Sequence, residues 1–301
     1  MSMFSAERRE ISLAMMCSSR SVACRIFSFA LFLIASSVWA GKIYGHEVAG
    51  QRSDGSIGQK MSSVPDVAQR NAASTDFVDE PDKEAEYAIR WFPSKGGPAN
   101  ATAVAKLFAI AASKDEDKLV VRYYVVKPQA GAPVGATAIL RSRDKANNKK
   151  FQLMFKYRAS TPFDDKSKLC PLKAGNAGED LTDKGEWDVS WVASDRMESA
   201  YSYSCSLKSD HPIAIQPAFE ARPRSPVIPM RRVRYELDGE EISVEEWSLP
   251  DGRFAIEVSR MGKRTHASLK DFVHTVSEPI VGAGALLIPE SMTKLATRSS
   301  P

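Results

Sequence analysis

Along this chain, apolar and polar residues alternate with a period of two in segment after segment. In Glu84–Trp91 the odd positions carry Tyr87, Ile89 and Trp91, whereas the even ones carry Glu84, Glu86 and Arg90. In Phe151–Arg158 the odd phase is again apolar and the even phase ends in Lys156 and Arg158. Successive side chains of a strand point to opposite faces, so each segment is apolar on one side and charged on the other. Strands are predicted over about 84–92, 119–126, 136–143, 151–158, 187–192, 200–206, 230–237, 242–249 and 253–259. The run Asp144 to Lys150 reads as a hairpin loop, and Asp238-Gly239 and Pro250-Asp251-Gly252 join the last three strands into a meander. Helical spacing is confined to Asn100–Ala112 and Ser268–Val276. The pattern predicts an α+β protein, mainly an antiparallel β-barrel or tunnel of about eight to nine strands with a few flanking helices.

Outside this region the pattern changes. Ile26–Ala35 is a short apolar run behind Arg20 and Arg25, followed by Val38 and Ala40 at the small-residue positions of a cleavage site. It reads as a signal peptide spanning residues 1–40, since the run is well short of the ~20 apolar residues a spanning helix needs. Residues 41–82 are polar and aperiodic and read as a flexible linker, leaving 83–301 as the barrel domain. The expected location is exported, periplasmic or secreted, with no membrane anchor after cleavage. Beyond the signal only Cys170 and Cys205 remain, and an even pair in an exported protein predicts one disulfide.

Composition narrows the chemistry. The formal charge is +4 over 301 residues, half of it supplied by the first 40, which is too little for nucleic-acid binding by bulk charge. His46, His211, His266 and His274 lie in no paired-ligand spacing, and the chain has no GxSxG, GxGxxG or phosphate-loop motif. Gly96-Gly97-Pro98 reads as a turn. What remains is the charged phase of the strands: Arg122, Arg141, Arg143, Lys156, Arg158, Arg232 and Arg234, with Glu86, Glu245 and Glu257. If these residues face solvent, they form weak surface ion pairs around an apolar barrel core. That arrangement is the default for half-buried antiparallel strands. If they face inward, they form a cationic tunnel with a carboxylate cluster. Enclosed arginines then require anions, and paired Glu could hold a hard divalent cation.

The order of the segments resembles the CYTH superfamily, the triphosphate tunnel proteins. The likeness spans about 84–297 and is carried by Glu84-Ala85-Glu86 with Arg90, by Ile139-Leu140-Arg141-Ser142-Arg143, by Lys156-Tyr157-Arg158 and by Gly252-Arg253-Phe254-Ala255-Ile256-Glu257-Val258, with Lys294 near a late basic position. The resemblance implies a tunnel with basic side chains inside and helices on its apolar exterior. It further implies binding of a phosphate-rich small anion, with Mg²⁺ or Mn²⁺ at the acidic positions in catalytic members. Ala88 and Ser259 stand where that pattern has charged residues, so triphosphate hydrolysis is left open. The alternative is a non-enzymatic secreted or envelope protein with an apolar barrel core.

Overall fold

A computed structural model describes residues 77–298 except 128–131, 133, 146–148, 164–168, 177 and 194–195. The signal region and nearly all of the linker lie outside the described residues.

Ten strands form: β1 (Glu80–Trp91), β2 (Asp115–Val125), β3 (Thr137–Lys145), β4 (Lys150–Ala159), β5 (Asp180–Ala193), β6 (Arg196–Ser209), β7 (Arg222–Pro223), β8 (Ile228–Leu237), β9 (Glu240–Ser248) and β10 (Phe254–Arg264). Their order is β3-β4-β6-β5-β1-β10-β9-β8-β2, and a β2–β3 pairing closes the ring, so nine strands make a barrel and β7 hangs on β2. Closure removes every free sheet edge from the wall. The pairings are antiparallel except β1 with β5, which run parallel from Ala85↔Trp187 to Ile89↔Trp191. Several strands outrun their apolar patterns. β5, for example, begins at Asp180, where Asp180, Thr182 and Asp183 are exposed beyond the packed layers and give no hydrophobic signal. Asp238 and Gly239 both have positive φ, at 53° and 83°, which makes the tight turn between β8 and β9.

Four short helices accompany the barrel: α1 (Ala101–Leu107), α2 (His266–Phe272), α3 (Glu278–Gly282) and α4 (Met292–Ala296), with a π-turn at Val273–Ser277 linking α2 to α3. Asn100, Thr265 and Ser291 cap α1, α2 and α4 by accepting from the backbone N–H three residues on. None of the helices among the described residues is long and apolar enough to cross a membrane.

Two of the three apolar clusters lie outside the barrel, while a third, with Val121, Met230 and Trp247 on the inward phase packed against Met292 and Leu295, fills one end of its interior. Tyr87, Ile89 and Trp91 are fully buried against Phe272, Val273, Val276 and Ile280 of the α2–α3 segment. The ring of Phe272 stacks on Tyr87 at 5.8 Å and lies 5.6 Å from Trp191. On another wall, Leu153, Phe155, Tyr157 and Cys205 pack under Leu169, Leu172 and Phe219 of the connecting loops. Gly96 and Gly97 allow the β1–α1 turn to meet the end of α3. A Cβ on Gly96 would fall 2.3 Å from the Gly284 carbonyl oxygen, and one on Gly97 2.6 Å from Ala285. The turn expected there therefore also makes a close backbone contact.

Cys170 and Cys205 are joined in a disulfide that fastens the loop after β4 to the outer face of β6. The bond spans 35 residues, a loop for which the chain-entropy relation gives about 3–4 kcal/mol. The double substitution Cys170→Ser/Cys205→Ser is expected to lower unfolding free energy by about that amount in urea titrations. A loss under about 1 kcal/mol would mean that the loop holds its place without the bond.

Candidate functional site

Register decides which phase of each strand points inward. Arg141 lies opposite Met154, Arg143 opposite Gln152, and Lys156 opposite Ile139 and Ser204. Glu86 pairs with Asp188, Arg90 with Glu257, Glu257 with Glu245, and Glu245 with Arg232. Residues opposite one another across a ladder share a face. Except for Gln152 and Ser204, which line an adjoining hollow, these side chains converge on one interior cavity of about 180 Å³, lined also by Arg158, Lys184, Glu186 and Ser190. Seven basic and five acidic residues line it, an excess of positive charge in an enclosed space. The charged face is the inner one, and Tyr87, Leu153 and Phe155 lie in the outer clusters.

Three ionic groups occupy the cavity wall. Asp188 accepts from Arg158 Nε at 2.7 Å and from Lys156 Nζ at 3.1 Å, and Glu186 is bonded to Lys184 at 2.5 Å with Lys156 3.6 Å away. Burial alone would raise the Asp188 pKa, but Lys156 and Arg158 outweigh it and hold the carboxyl well below the usual range. Glu245 accepts from Arg232 Nε at 2.8 Å and from Trp247 Nε1 at 3.1 Å, with Arg143 at 3.7 Å. Burial opposes its ionisation too, and Arg232 and Arg143 overcome it, so its pKa is depressed. Glu257 bonds to Arg90, which also donates to Ser190 Oγ at 3.0 Å. For Glu257 burial prevails over Arg90, reinforced by Glu245 and Glu86, and the pKa is raised.

Arg141 and Arg143 stand out against this neutralised wall. Their Nε atoms are buried and have no hydrogen-bond partner among the described residues. Arg141 donates only to the Met154 sulfur, at 3.0 Å, and has no ion-pair partner among the described residues. Burial and the neighbouring Arg141 and Arg232 push the Arg143 pKa down to about 9, a measure of how poorly its charge is compensated. Arginine stays protonated in proteins, so the physical consequence is demand for an anion.

The remaining expected residues divide between the cavity and other places. Arg232 lines the cavity, whereas Arg234 sits in an adjoining hollow of about 830 Å³ at one mouth, bound to Asp115 and Asp117. Arg122 is not in the cavity: it pairs with Ser142 on the outward phase that carries Leu153. The period of two that predicts alternation does not say which phase of β2 is inner. There the inner one is apolar at Val121 and aromatic at Tyr123. Lys294 is exposed, while its neighbours Ser291, Met292 and Thr293 line the cavity's end.

The acidic residues are grouped differently from the expected Glu86, Glu245 and Glu257. Carboxylate oxygens of Glu86, Glu186 and Asp188 come within 4.8 Å of one another, while Glu245 and Glu257 are engaged by Arg232 and Arg90. Glu186 and Asp188 were legible as an alternation in Lys184-Gly185-Glu186-Trp187-Asp188. They were missed because the apolar signal of β5 begins only at Trp187. Oxygen donors of this kind suit Mg²⁺ or Mn²⁺ in hardness. Lys156, Arg158 and Lys184 already hold two of the three, so the set does not fit a divalent cation in charge.

No protein-family model and no curated protein matches this chain. Among solved structures it is similar to a conserved hypothetical protein from Pyrococcus furiosus, at 13% identity and TM-score 0.37, covering 70% of this chain and 99% of that one. It is also similar to the PH1012 protein of Pyrococcus horikoshii OT3, at 10% identity and TM-score 0.39, covering 70% and 98%. A third is HpAC1 from Hippeastrum, a putative adenylyl cyclase described as having a dominant triphosphatase activity, at 12% identity and TM-score 0.39, covering 69% and 92%. At such distances only the chain's own interior bears on function.

Asp188→Asn is expected to destabilise the fold by about 3 kcal/mol at pH 7, because it leaves Arg158 without its partner and Lys156 with only Glu186 at 3.6 Å. The stabilisation from a depressed carboxyl is present above its unfolded value and is lost as pH falls through the folded one. The wild-type advantage should therefore shrink below the ordinary Asp value of 3.8, as read from urea unfolding across pH. A gap that stays constant down to pH 2 would sink this assignment.

Proposed function

We propose that the barrel interior is a receptor for a phosphate-rich anion, with Arg141 and Arg143 as its anchor and Lys156, Arg158 and Arg232 completing the basic wall. The carrying observation is the pair of enclosed guanidinium groups whose Nε atoms lack any partner among the described residues, in a cavity with more basic than acidic side chains. Leaving such groups unpaired costs several kcal/mol each, and a phosphate oxygen array fits the planar fork of an arginine two bonds at a time. Arg234 and the adjoining hollow, which also carries Lys145, Lys150 and Lys208, form a basic approach to the cavity. The occupancy of the carboxylates by internal cations favours binding over metal-dependent hydrolysis. The rival reading of an apolar barrel core is confined to one end, where Val121, Met230 and Trp247 pack with Met292 and Leu295, because the apolar phases of β1 and β4 are packed outside. Export remains part of the proposal, supported by the disulfide and by the apolar run ending at Ala40.

Tripolyphosphate in low salt should raise the melting temperature by mass action, and Arg141→Gln/Arg143→Gln should remove most of that shift. No shift with the folded wild-type protein would refute the receptor reading. For export, mass spectrometry of the protein recovered outside the cytoplasm should find an N-terminus at Gly41; a chain retaining its first 40 residues would contradict it.

A further inference from the structure

The tunnel's carboxylates have a second consequence, which concerns the state in which the ligand is bound. Each of Glu186, Asp188, Glu245 and Glu257 has a lysine or arginine within ion-pair distance. Lys156 bridges Glu186 and Asp188, at 3.6 and 3.1 Å, and Lys184 and Arg158 close the network from either side. Glu86 alone has no ion pair among the described residues, although it stands close to Glu186 and Asp188. The local charge of Glu86, Glu186 and Asp188 is thus matched one for one by Lys156, Arg158 and Lys184.

A divalent cation entering this group would add two positive charges to a neutral cluster, or it would have to displace the largely buried Lys156 from both of its carboxylates. Both are unfavourable in a space shielded from water. An anion meets no such obstacle. Arg141 has no ion-pair partner among the described residues and Arg143 only a distant one in Glu245 at 3.7 Å, and their Nε donors require the removal of no internal partner.

We infer that this barrel takes its phosphate-rich ligand as the free anion, without a bridging metal ion. The inference rests on the receptor reading above and specifies its ligand. The lysine–carboxylate network serves as a built-in replacement for the cation that would otherwise screen the phosphates, and Lys156 is its central member.

Solution chemistry makes the inference sharply testable, because Mg²⁺ complexes tripolyphosphate and lowers the concentration of the free anion. Tripolyphosphate is titrated calorimetrically into the full protein in metal-depleted buffer, and again with millimolar Mg²⁺ at matched ionic strength. Binding is expected in the metal-depleted buffer, with the apparent Kd rising severalfold once Mg²⁺ is present. An unchanged or lower Kd with Mg²⁺, or binding seen only with Mg²⁺, would overturn the metal-free inference and leave the receptor reading standing. Absence of binding under both conditions would overturn the receptor reading itself. A parallel Mn²⁺ titration of wild-type protein, followed by electron paramagnetic resonance, should show no stoichiometric site; a one-to-one site would count against the inference.

Discussion

A guanidinium or carboxylate enclosed by a barrel wall loses its water, and it is stable there only when another charge takes that water's place. This constraint governs the whole molecule. Asp188 is set between Lys156 and Arg158, Glu245 beside Arg232, and Glu257 beside Arg90, each across neighbouring or facing strands. The strands that supply these pairs must hold their register closely, because a slip of one residue would exchange the charged phase for the apolar one throughout a strand. The ionic network therefore fixes the pairing of the wall as much as it fills its interior.

Turning the charged face inward forces the apolar face outward, and the helices and loops follow from that. Tyr87, Ile89 and Trp91 would be an exposed aromatic and aliphatic stripe if the α2–α3 segment did not cover them. Phe155 and Tyr157 need the loops after β4 and β6, and the disulfide at Cys205 keeps the first of these loops in contact. The glycine pair at Gly96 and Gly97 lets the chain leave β1 closely enough to meet the end of α3. Stability comes from the outer hydrophobic layers and from an apolar cluster at one end of the interior, while the remainder of the interior is charged.

The same division explains why the interior is specialised rather than uniformly basic. Most of its cations are consumed by internal carboxylates and serve the wall. Arg141 and Arg143 belong to adjacent inward positions of β3, flanked on the same phase by the uncharged Ile139 and by Lys145, which Asp117 neutralises, and their cross-strand neighbours Met154 and Gln152 are neutral. Positive charge is least compensated there, since Arg141 has no ion-pair partner among the described residues and Arg143 only Glu245 at 3.7 Å.

Much of this was legible in the sequence. Strict alternation in Glu84–Trp91 and Phe151–Arg158 determined two-faced strands, Asp238-Gly239 determined a tight turn, and the pair Cys170 and Cys205 pointed to a bond. The resemblance to the tunnel proteins pointed to the inward charged phase. Pairing between distant strands was not legible, because alternation has no term for which neighbour a strand finds. The parallel contact of β1 with β5 brought Glu86 to Glu186 and Asp188, and the wall left Arg122 outside. Local pattern can assign a side chain to one of two faces. Only closure of the ring gives those faces an inside and an outside, and only then can each charge acquire the partner that makes its burial tolerable.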